Sequence, residues 1–317
     1  MIRGPVKARA GLRRKRLDSF SLLELLVAIA ILAIIMIVLL GMTGSLSTLW
    51  QSGQARNERR TNTQAIFERM ARDLQQVSLP SARSGNPALF NTNSLELVIN
   101  PSGVSTKYEF PQALFWQAPV ANDGSTNGNL AVVGYFVQWV DGAPYLSRVL
   151  INPSSASYYS IYSNPTSWIS DNFLSNTAPA TAASGYAGLM SGNVLGLWVQ
   201  ALDGLGNPIQ QTGSAIQGEA FDSRFGYAYT NYLYTNSGNP VLATNAACAL
   251  PAAIQIAIVI VDSGTAHHLT GTEKQSPAAL TGNFWGDIQN FYTNLSPVIQ
   301  KGAEIQTTTV EIANGPR

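Results

Sequence analysis

The sequence predicts an α+β protein, with a long N-terminal helix whose first half is transmembrane and whose second half packs on an antiparallel β-sheet domain. Three observations lead to this prediction. The apolar stretch from Phe20 to Met42 is long enough to cross a membrane as a helix. Apolar residues then recur at helical spacing as far as Val77. After Ser94 the apolar pattern changes to that of strands, and no long helical pattern separates them, which favours an antiparallel sheet.

The chain begins with a basic segment. Residues 1–19 carry seven Lys and Arg residues and one acid, Asp18, so their net charge is +6, whereas the whole chain has a net charge of +1. Positive charge on one flank of an apolar span predicts that this flank is cytoplasmic. We therefore expect the remainder, which has a net charge of −5, to lie outside the cytoplasm.

The apolar stretch contains one ionisable residue, Glu24, and the next along the chain is Arg56. A carboxylate at the centre of a membrane span costs about 2.5–3.5 kcal/mol on insertion scales, so it normally marks a partner or a pathway. The alternative is that Glu24 lies near the membrane surface and snorkels to water. A secretory signal cut near residues 44–47 is a further alternative, but the apolar run exceeds the length of such signals.

The second half of the predicted helix lies beyond the span. Three glycines at positions 41, 44 and 53 are expected to loosen it, because glycine costs about 1 kcal/mol relative to alanine. The pattern becomes regular again after Thr61, and Pro80 ends the helix. We expect Arg69 and Asp73 to form an i,i+4 pair on the solvent side. Four apolar residues predict the face that docks on the soluble domain: Ile66, Met70, Leu74 and Val77.

The remainder, residues 81–317, is predicted to be one β-rich soluble domain. Asp141-Gly142 and Asp203-Gly204 each separate two strand patterns and predict hairpins. Residues 152–192 and 211–245 are rich in Ser, Asn, Tyr and Gly and are interpreted as irregular loop insertions. The predicted strands are Leu95–Ile99, Val132–Val140, Pro144–Ile151, Val194–Leu202, Leu205–Gln211, Pro251–Val261 and Glu304–Ile312.

Aromatic residues are clustered in both predicted insertions. These side chains either pack on their own sheet, which we favour, or form an interface with a partner. The first cluster comprises Tyr158, Tyr159, Tyr162 and Trp168, and the second comprises Tyr227, Tyr229, Tyr232 and Tyr234.

Residues that carry chemistry are scarce in this sequence. Cys248 is the only cysteine, which excludes an intrachain disulfide, and its alanine neighbours favour a small buried side chain. His267 and His268 are the only histidines, and we interpret them as a surface pair rather than a catalytic one. Charged residues make up only 12% of the chain, which argues against nucleic-acid binding. We predict no catalytic residue, no metal site and no cofactor.

The N-terminal segment resembles that of type IV prepilins and of the pseudopilins of type II secretion. In that family a basic leader ends in glycine, the mature chain begins with an N-methylated phenylalanine, and the fifth mature residue is glutamate. Phe20 and Glu24 match this pattern, whereas Ser19 stands where the family usually has glycine. The resemblance implies cleavage between Ser19 and Phe20 by a prepilin peptidase and methylation of the Phe20 amine. It also implies that Glu24 is the carboxylate that directs assembly with other pilin or pseudopilin subunits.

Later parts of the chain resemble the minor pseudopilin of J type more loosely. The similarity lies in the Met70–Gln76 segment, the hairpin from Tyr135 to Arg148, the strand from Val194 to Asp203 and the segment from Leu250 to Ile256. The family implies a pilin-like fold in the inner membrane, with a cytoplasmic N-terminus and a periplasmic C-terminal domain. We therefore predict a structural subunit. The alternatives are a single-pass membrane-anchored periplasmic binding module and, less favoured because no catalytic set is visible, a tethered periplasmic hydrolase.

Overall fold

A computed structural model describes most of the chain. It covers residues 21–77, 95–101, 110–121, 128–153, 161, 164, 168–169, 187–211, 219–236, 239–244 and 250–313, with the backbone alone for 187, 228–236, 239–244 and 277. Residues 1–54 form one unit and residues 55–317 a second one, so the division falls within the long helix. The second unit contains the domain that the sequence predicts to be soluble, and we name it the soluble unit.

The first element is helix α1, which runs from Leu22 to Leu74 over 53 residues. The three glycines do not interrupt it, because neighbouring hydrogen bonds make helix propagation cooperative and offset their unfavourable propensity. The helix ends at Leu74, earlier than the sequence predicted, and residue 80 lies outside the described residues.

A five-stranded antiparallel sheet follows, in the order β1-β2-β3-β4-β5. Its centre is the first predicted hairpin, in which Val140 pairs with Ala143 across a two-residue turn. Asp141 and Gly142 both have positive φ, at 50° and 83°, which is the backbone that an Asp-Gly hairpin turn requires. The strands are β1 (Leu97–Ile99), β2 (Ala113–Ala118), β3 (Ala131–Val140), β4 (Ala143–Ile151) and β5 (Ala187–Gly192).

The second sheet has three antiparallel strands in the order β11-β10-β6, where β6 is Val194–Leu202, β10 is Ala253–Val261 and β11 is Ala303–Glu311. Short helices between β10 and β11 were not predicted: α2 (Ser263–Ala266), α3 (Phe284–Asn294) and α4 (Pro297–Gly302). The side chain of Asn283 caps α3, and Ser296 caps α4, which has Pro297 in its first turn.

The second predicted hairpin forms only as a short reversal after β6, without the second regular strand that the sequence predicted. After β6 the Asp203 carboxylate accepts hydrogen bonds from the amides of Leu205 and Asn207, which closes a tight loop. The returning chain forms an antiparallel bridge from Pro208 to Leu202, and the Ile209 amide donates to the Ala201 carbonyl at 3.0 Å. No regular strand follows there, because Pro208 has no amide hydrogen to continue a ladder. The next strand, β7 (Gln210–Gln211), joins a different sheet.

The interpretation of residues 211–245 and 152–192 as irregular insertions is also corrected. Strands β8 (Tyr227–Asn236) and β9 (Asn239–Thr244) form an antiparallel pair, and β7 adds to it as a third strand. Tyrosine and threonine favour strands, a preference that outweighs the polar composition of this stretch. Within residues 152–192, β5 forms an edge strand of the five-stranded sheet.

Helix and sheets share one core. The largest cluster of buried side chains combines the C-terminal part of α1 with residues of both larger sheets, among them Trp116, Tyr135 and Ile258. A second cluster includes Phe115 and Phe136 from the five-stranded sheet, and a third packs α3 and α4 on β6 and β10 through Trp198. The predicted α+β class, a long helix on antiparallel sheets, is therefore confirmed.

Candidate functional site: the N-terminal helix

The start of α1 is a capped helix end that contains Glu24. The Ser21 hydroxyl accepts a hydrogen bond from the Leu23 amide at 3.3 Å, and the Glu24 carboxylate accepts one from the Ser21 amide at 3.1 Å. This reciprocal pair is a capping box, which fixes where the helix begins. The predicted cleavage and methylation residues, Ser19 and Phe20, lie outside the described residues.

The sequence analysis did not predict this cap, although its signal is present in the sequence. Ser21-Leu22-Leu23-Glu24 has the serine and glutamate three residues apart, immediately before an apolar run, which is the signature of a capping box. Glu24 therefore has a partner within its own chain, the backbone amide of Ser21.

From Leu22 to Trp50 the apolar side chains of α1 are exposed. Within the described part of the chain this helix is long and apolar enough to cross a membrane, and none of its most apolar segment is buried. An exposed apolar surface of this extent needs a lipid or protein partner. The largest exposed side chains in this region include Leu22, Leu26, Ile34, Ile37, Leu40, Leu46, Leu49 and Trp50.

The C-terminal part of α1, from Ala55 onward, belongs to the soluble unit and packs on its sheets. The structure places Ile66, Met70, Leu74 and Val77 in the main core cluster, and each is at most 2% exposed. Thr63 and Arg59 continue the same buried side toward the N-terminus of the helix.

Asp73 lies at the centre of a buried polar cluster, not on the solvent side where the sequence placed it. It does form the i,i+4 pair with Arg69, at 3.4 Å, but it is only 4% exposed. Its Oδ2 accepts a hydrogen bond from the Tyr135 hydroxyl at 2.7 Å and one from the Arg148 Nε at 2.6 Å. The cluster therefore ties α1 to β3 and β4.

Burial and the neighbouring charges shift the pKa values of Tyr135 and Arg148. Burial, and then the charge and hydrogen bond of Asp73, raise the pKa of Tyr135 above its usual value. Burial lowers the pKa of Arg148, but its hydrogen bond and ion pair with Asp73 outweigh that effect and raise it. Tyr135 is thus a neutral donor and Arg148 a cation, which compensates the buried carboxylate.

Arg59 makes a second connection between the helix and the sheet. Its guanidinium pairs with Asp262 at 2.9 Å and with Glu304 at 3.2 Å. Asp262 also caps helix α2 by accepting from the Thr265 amide at 2.9 Å. Gly302 is required beside this site, because a Cβ there would lie 1.7 Å from the Thr265 hydroxyl.

The residues considered for catalysis are not brought together. His267 and His268 are exposed at the end of the short helix α2. Among the described residues no group of three His, Cys, Asp or Glu side chains could hold a metal ion, and Cys248 lies outside them.

The predicted aromatic clusters are only partly described. Trp168 is buried and donates its indole hydrogen to the Leu95 carbonyl at 2.6 Å, and Tyr227 is buried and donates its hydroxyl hydrogen to the Leu250 carbonyl at 3.0 Å. These two side chains pack within their own chain. The other six tyrosine side chains of the two clusters lie outside the described atoms.

Two buried glutamates were not identified from the sequence. Glu96 is 0% exposed, and neither carboxylate oxygen has a hydrogen-bond partner in the part of the chain that the structure describes. Burial raises the pKa of Glu96 to about 8. Burial, and then the negative charge of Asp287, raise the pKa of Glu219 to about 7.

Glu96 is therefore expected to make the soluble unit less stable as pH rises. Its pKa is higher in the folded than in the unfolded chain, so its contribution is fully present below pH 4.5 and is lost as pH rises through about 8. Because one pKa unit corresponds to about 1.4 kcal/mol, the loss is on the order of a few kcal/mol. Urea unfolding at a series of pH values should show this decline.

The matched variants are Glu96→Gln and Glu311→Gln. The first replaces the titrating group by a neutral isostere and should flatten the decline, leaving a smaller slope from Glu219. Glu311→Gln changes an exposed residue of β11, so the stability of this variant should depend on pH as that of the parent does. An unaltered pH dependence in Glu96→Gln would show that Glu96 is ionised in the folded protein.

Comparison with known proteins finds similarity to a family model and to solved structures. Residues 15–40 match the family model described as the prokaryotic N-terminal methylation motif. No curated protein matches the sequence of the chain. Among solved structures, a type IV-like pilin from Thermus thermophilus is similar with a TM-score of 0.33 and 12% identity, over 82% of this chain and all of that one.

Proposed function

We propose that this chain is a minor pilin or pseudopilin, a structural subunit that assembles through its N-terminal helix into a type II secretion or type IV pilus-like filament. The observation that carries the proposal is the segment 15–40. It matches the N-terminal methylation motif, and its described part is an exposed apolar helix with a single carboxylate in its first turn. The loose resemblance to the J-type minor pseudopilin fits a minor subunit.

The proposed life cycle begins in the inner membrane. The basic leader stays in the cytoplasm, the helix crosses the membrane once, and residues beyond it lie in the periplasm. A prepilin peptidase cuts between Ser19 and Phe20 and methylates the new amine of Phe20. The Glu24 carboxylate of one subunit then pairs with the Phe20 amine of a neighbour. This pairing neutralises a carboxylate that is otherwise costly in lipid.

The soluble unit has a supporting role in this proposal. Asp73 and Arg59 each anchor the C-terminal part of α1 to the sheets through buried ion pairs. We assign this unit a structural role and no catalysis.

Processing by a prepilin peptidase tests the proposal. When the full chain and a peptidase are produced together, the chain should lose its leader, and a catalytically inactive peptidase should leave it intact. Ser19→Gly should be cut faster, because it restores the glycine that the family places before the cut. A leader that remains in both the parent and Ser19→Gly would contradict the proposal and favour a membrane-anchored binding module.

A further inference from the structure

The apolar surface of α1 continues past the predicted membrane span. Leu46, Leu49 and Trp50 are all exposed, and Trp50 is 76% exposed. Their spacing of three and one residues places them on one side of a helix. No charged residue occurs between Glu24 and Arg56. The surface that ends at Trp50 is therefore eight residues longer than the span that ends at Met42.

The length of this surface matches a whole bilayer. At about 1.5 Å per residue, the helix from Leu22 to Trp50 is about 42 Å long. The hydrocarbon core of a bilayer is about 30 Å thick, and the bilayer with its headgroup layers is about 40–45 Å thick. Each headgroup layer is therefore about 5–7 Å thick, and the last five residues of the surface, 46–50, rise about 6 Å along the helix.

Four of the five hydroxyl side chains between positions 43 and 52 donate hydrogen bonds within the helix, without water. Each of four side chains donates to a carbonyl three or four residues earlier, at distances between 2.8 and 3.1 Å. Such back-bonding lets serine and threonine enter a medium that is poor in water. The four side chains are those of Thr43, Ser45, Thr48 and Ser52.

Tryptophan has the chemistry of a bilayer surface. Its ring is largely apolar, and its indole N–H donates hydrogen bonds, so tryptophan is enriched at the level of the lipid headgroups. Trp50 is the most exposed of the three apolar side chains in this part, and it is also the last large one before Arg56. Its position fits the outer boundary of the membrane.

We propose that residues 46–50 lie in the headgroup layer on the extracytoplasmic side and that Trp50 contacts phospholipid there and anchors the helix. The partner of this surface is lipid in the unassembled subunit. The inference rests on the membrane insertion that the proposed function includes, but it does not require assembly or leader cleavage.

Quenching of tryptophan emission by brominated phospholipid tests this placement. The full chain is reconstituted at a high lipid-to-protein ratio in vesicles of phosphatidylethanolamine and phosphatidylglycerol. These vesicles contain phosphatidylcholine brominated either near the headgroup or near the end of its acyl chains. The parent should be quenched more by the lipid brominated near the headgroup, and most of this quenching should disappear in Trp50→Phe. The matched control is Trp285→Phe, which removes a 48% exposed tryptophan of the soluble unit and should keep the quenching.

Resistance to carbonate extraction tests membrane insertion separately from the placement of Trp50. If the protein stays in the membrane but Trp50→Phe is quenched as much as the parent, or the parent is not quenched, Trp50 does not lie in the lipid. Stronger quenching by bromine near the chain ends would place Trp50 in the hydrocarbon core and overturn the headgroup assignment. A protein released by carbonate would contradict membrane insertion, and with it both this inference and the proposed function.

Discussion

Leu74→Asp is expected to unfold the soluble unit or to destabilise it by about 5 kcal/mol or more. Leu74 is 0% exposed and belongs to the core cluster that joins α1 to both larger sheets. Truncating a buried leucine costs about 2–5 kcal/mol, and a buried carboxylate without a partner adds further cost. The new carboxylate would also adjoin Asp73, which already has Tyr135 and Arg148 as its partners.

Thermal unfolding of a chain that begins at Ala55, the first residue of the soluble unit, measures this effect. A loss of about 5 kcal/mol should lower the Tm by roughly 10–20 °C for a unit of this size. The matched control is Gln75→Asp, which adds the same carboxylate at the neighbouring exposed position and should change the Tm little. Equal melting of Leu74→Asp and the parent would mean that this part of α1 does not dock on the sheets.

Replacing Glu24 by glutamine or alanine is expected to abolish or strongly weaken assembly while leaving membrane insertion intact. Removal of a charge from the apolar segment favours insertion. In the proposed filament, however, the methylated amine of a neighbouring Phe20 would lose its carboxylate. Removing one partner of a buried ion pair costs about 3–5 kcal/mol. Recovery of other pilin subunits in a pull-down of the tagged full chain measures assembly.

The capping box makes these variants informative. Glutamine can accept the same hydrogen bond from the Ser21 amide, so Glu24→Gln keeps the cap and removes only the charge. Glu24→Ala removes both, whereas Ser21→Ala keeps the charge and removes the hydroxyl that accepts from Leu23. If the charge of Glu24 directs assembly, both Glu24 variants should fail to recover other pilin subunits, whereas Ser21→Ala should still recover them. Full recovery with Glu24→Gln would assign Glu24 to capping alone.

Local signals in the sequence predicted much of the fold. Asp141-Gly142 between two apolar runs predicted the central hairpin, because the turn type depends on those two residues alone. The alternating and apolar runs likewise predicted β10 and β11 to within two residues at each end. In contrast, β8 and β9 were interpreted as loop, because their polar composition concealed the strand preference of threonine and tyrosine.

Local sequence signals do not predict the buried polar sites. Asp73 has the spacing of a surface ion pair with Arg69, and its burial depends on Tyr135, which is 62 residues away along the chain. Arg59 likewise depends on Asp262 and Glu304, which are supplied by the second sheet. Spacing along a helix identifies an apolar face. It does not reveal which polar residue beside that face will pair with a residue that is distant along the chain. The capping box at Ser21 and Glu24 is different, since its signal is local and readable.

The intact mass of the full chain extracted from its native membrane tests the central claim most directly. If the chain is a processed pilin-like subunit, its mass should correspond to loss of residues 1–19 and gain of one methyl group, with fragmentation placing that group on Phe20. An uncut chain, or a mature N-terminus near Ser45, would contradict this account.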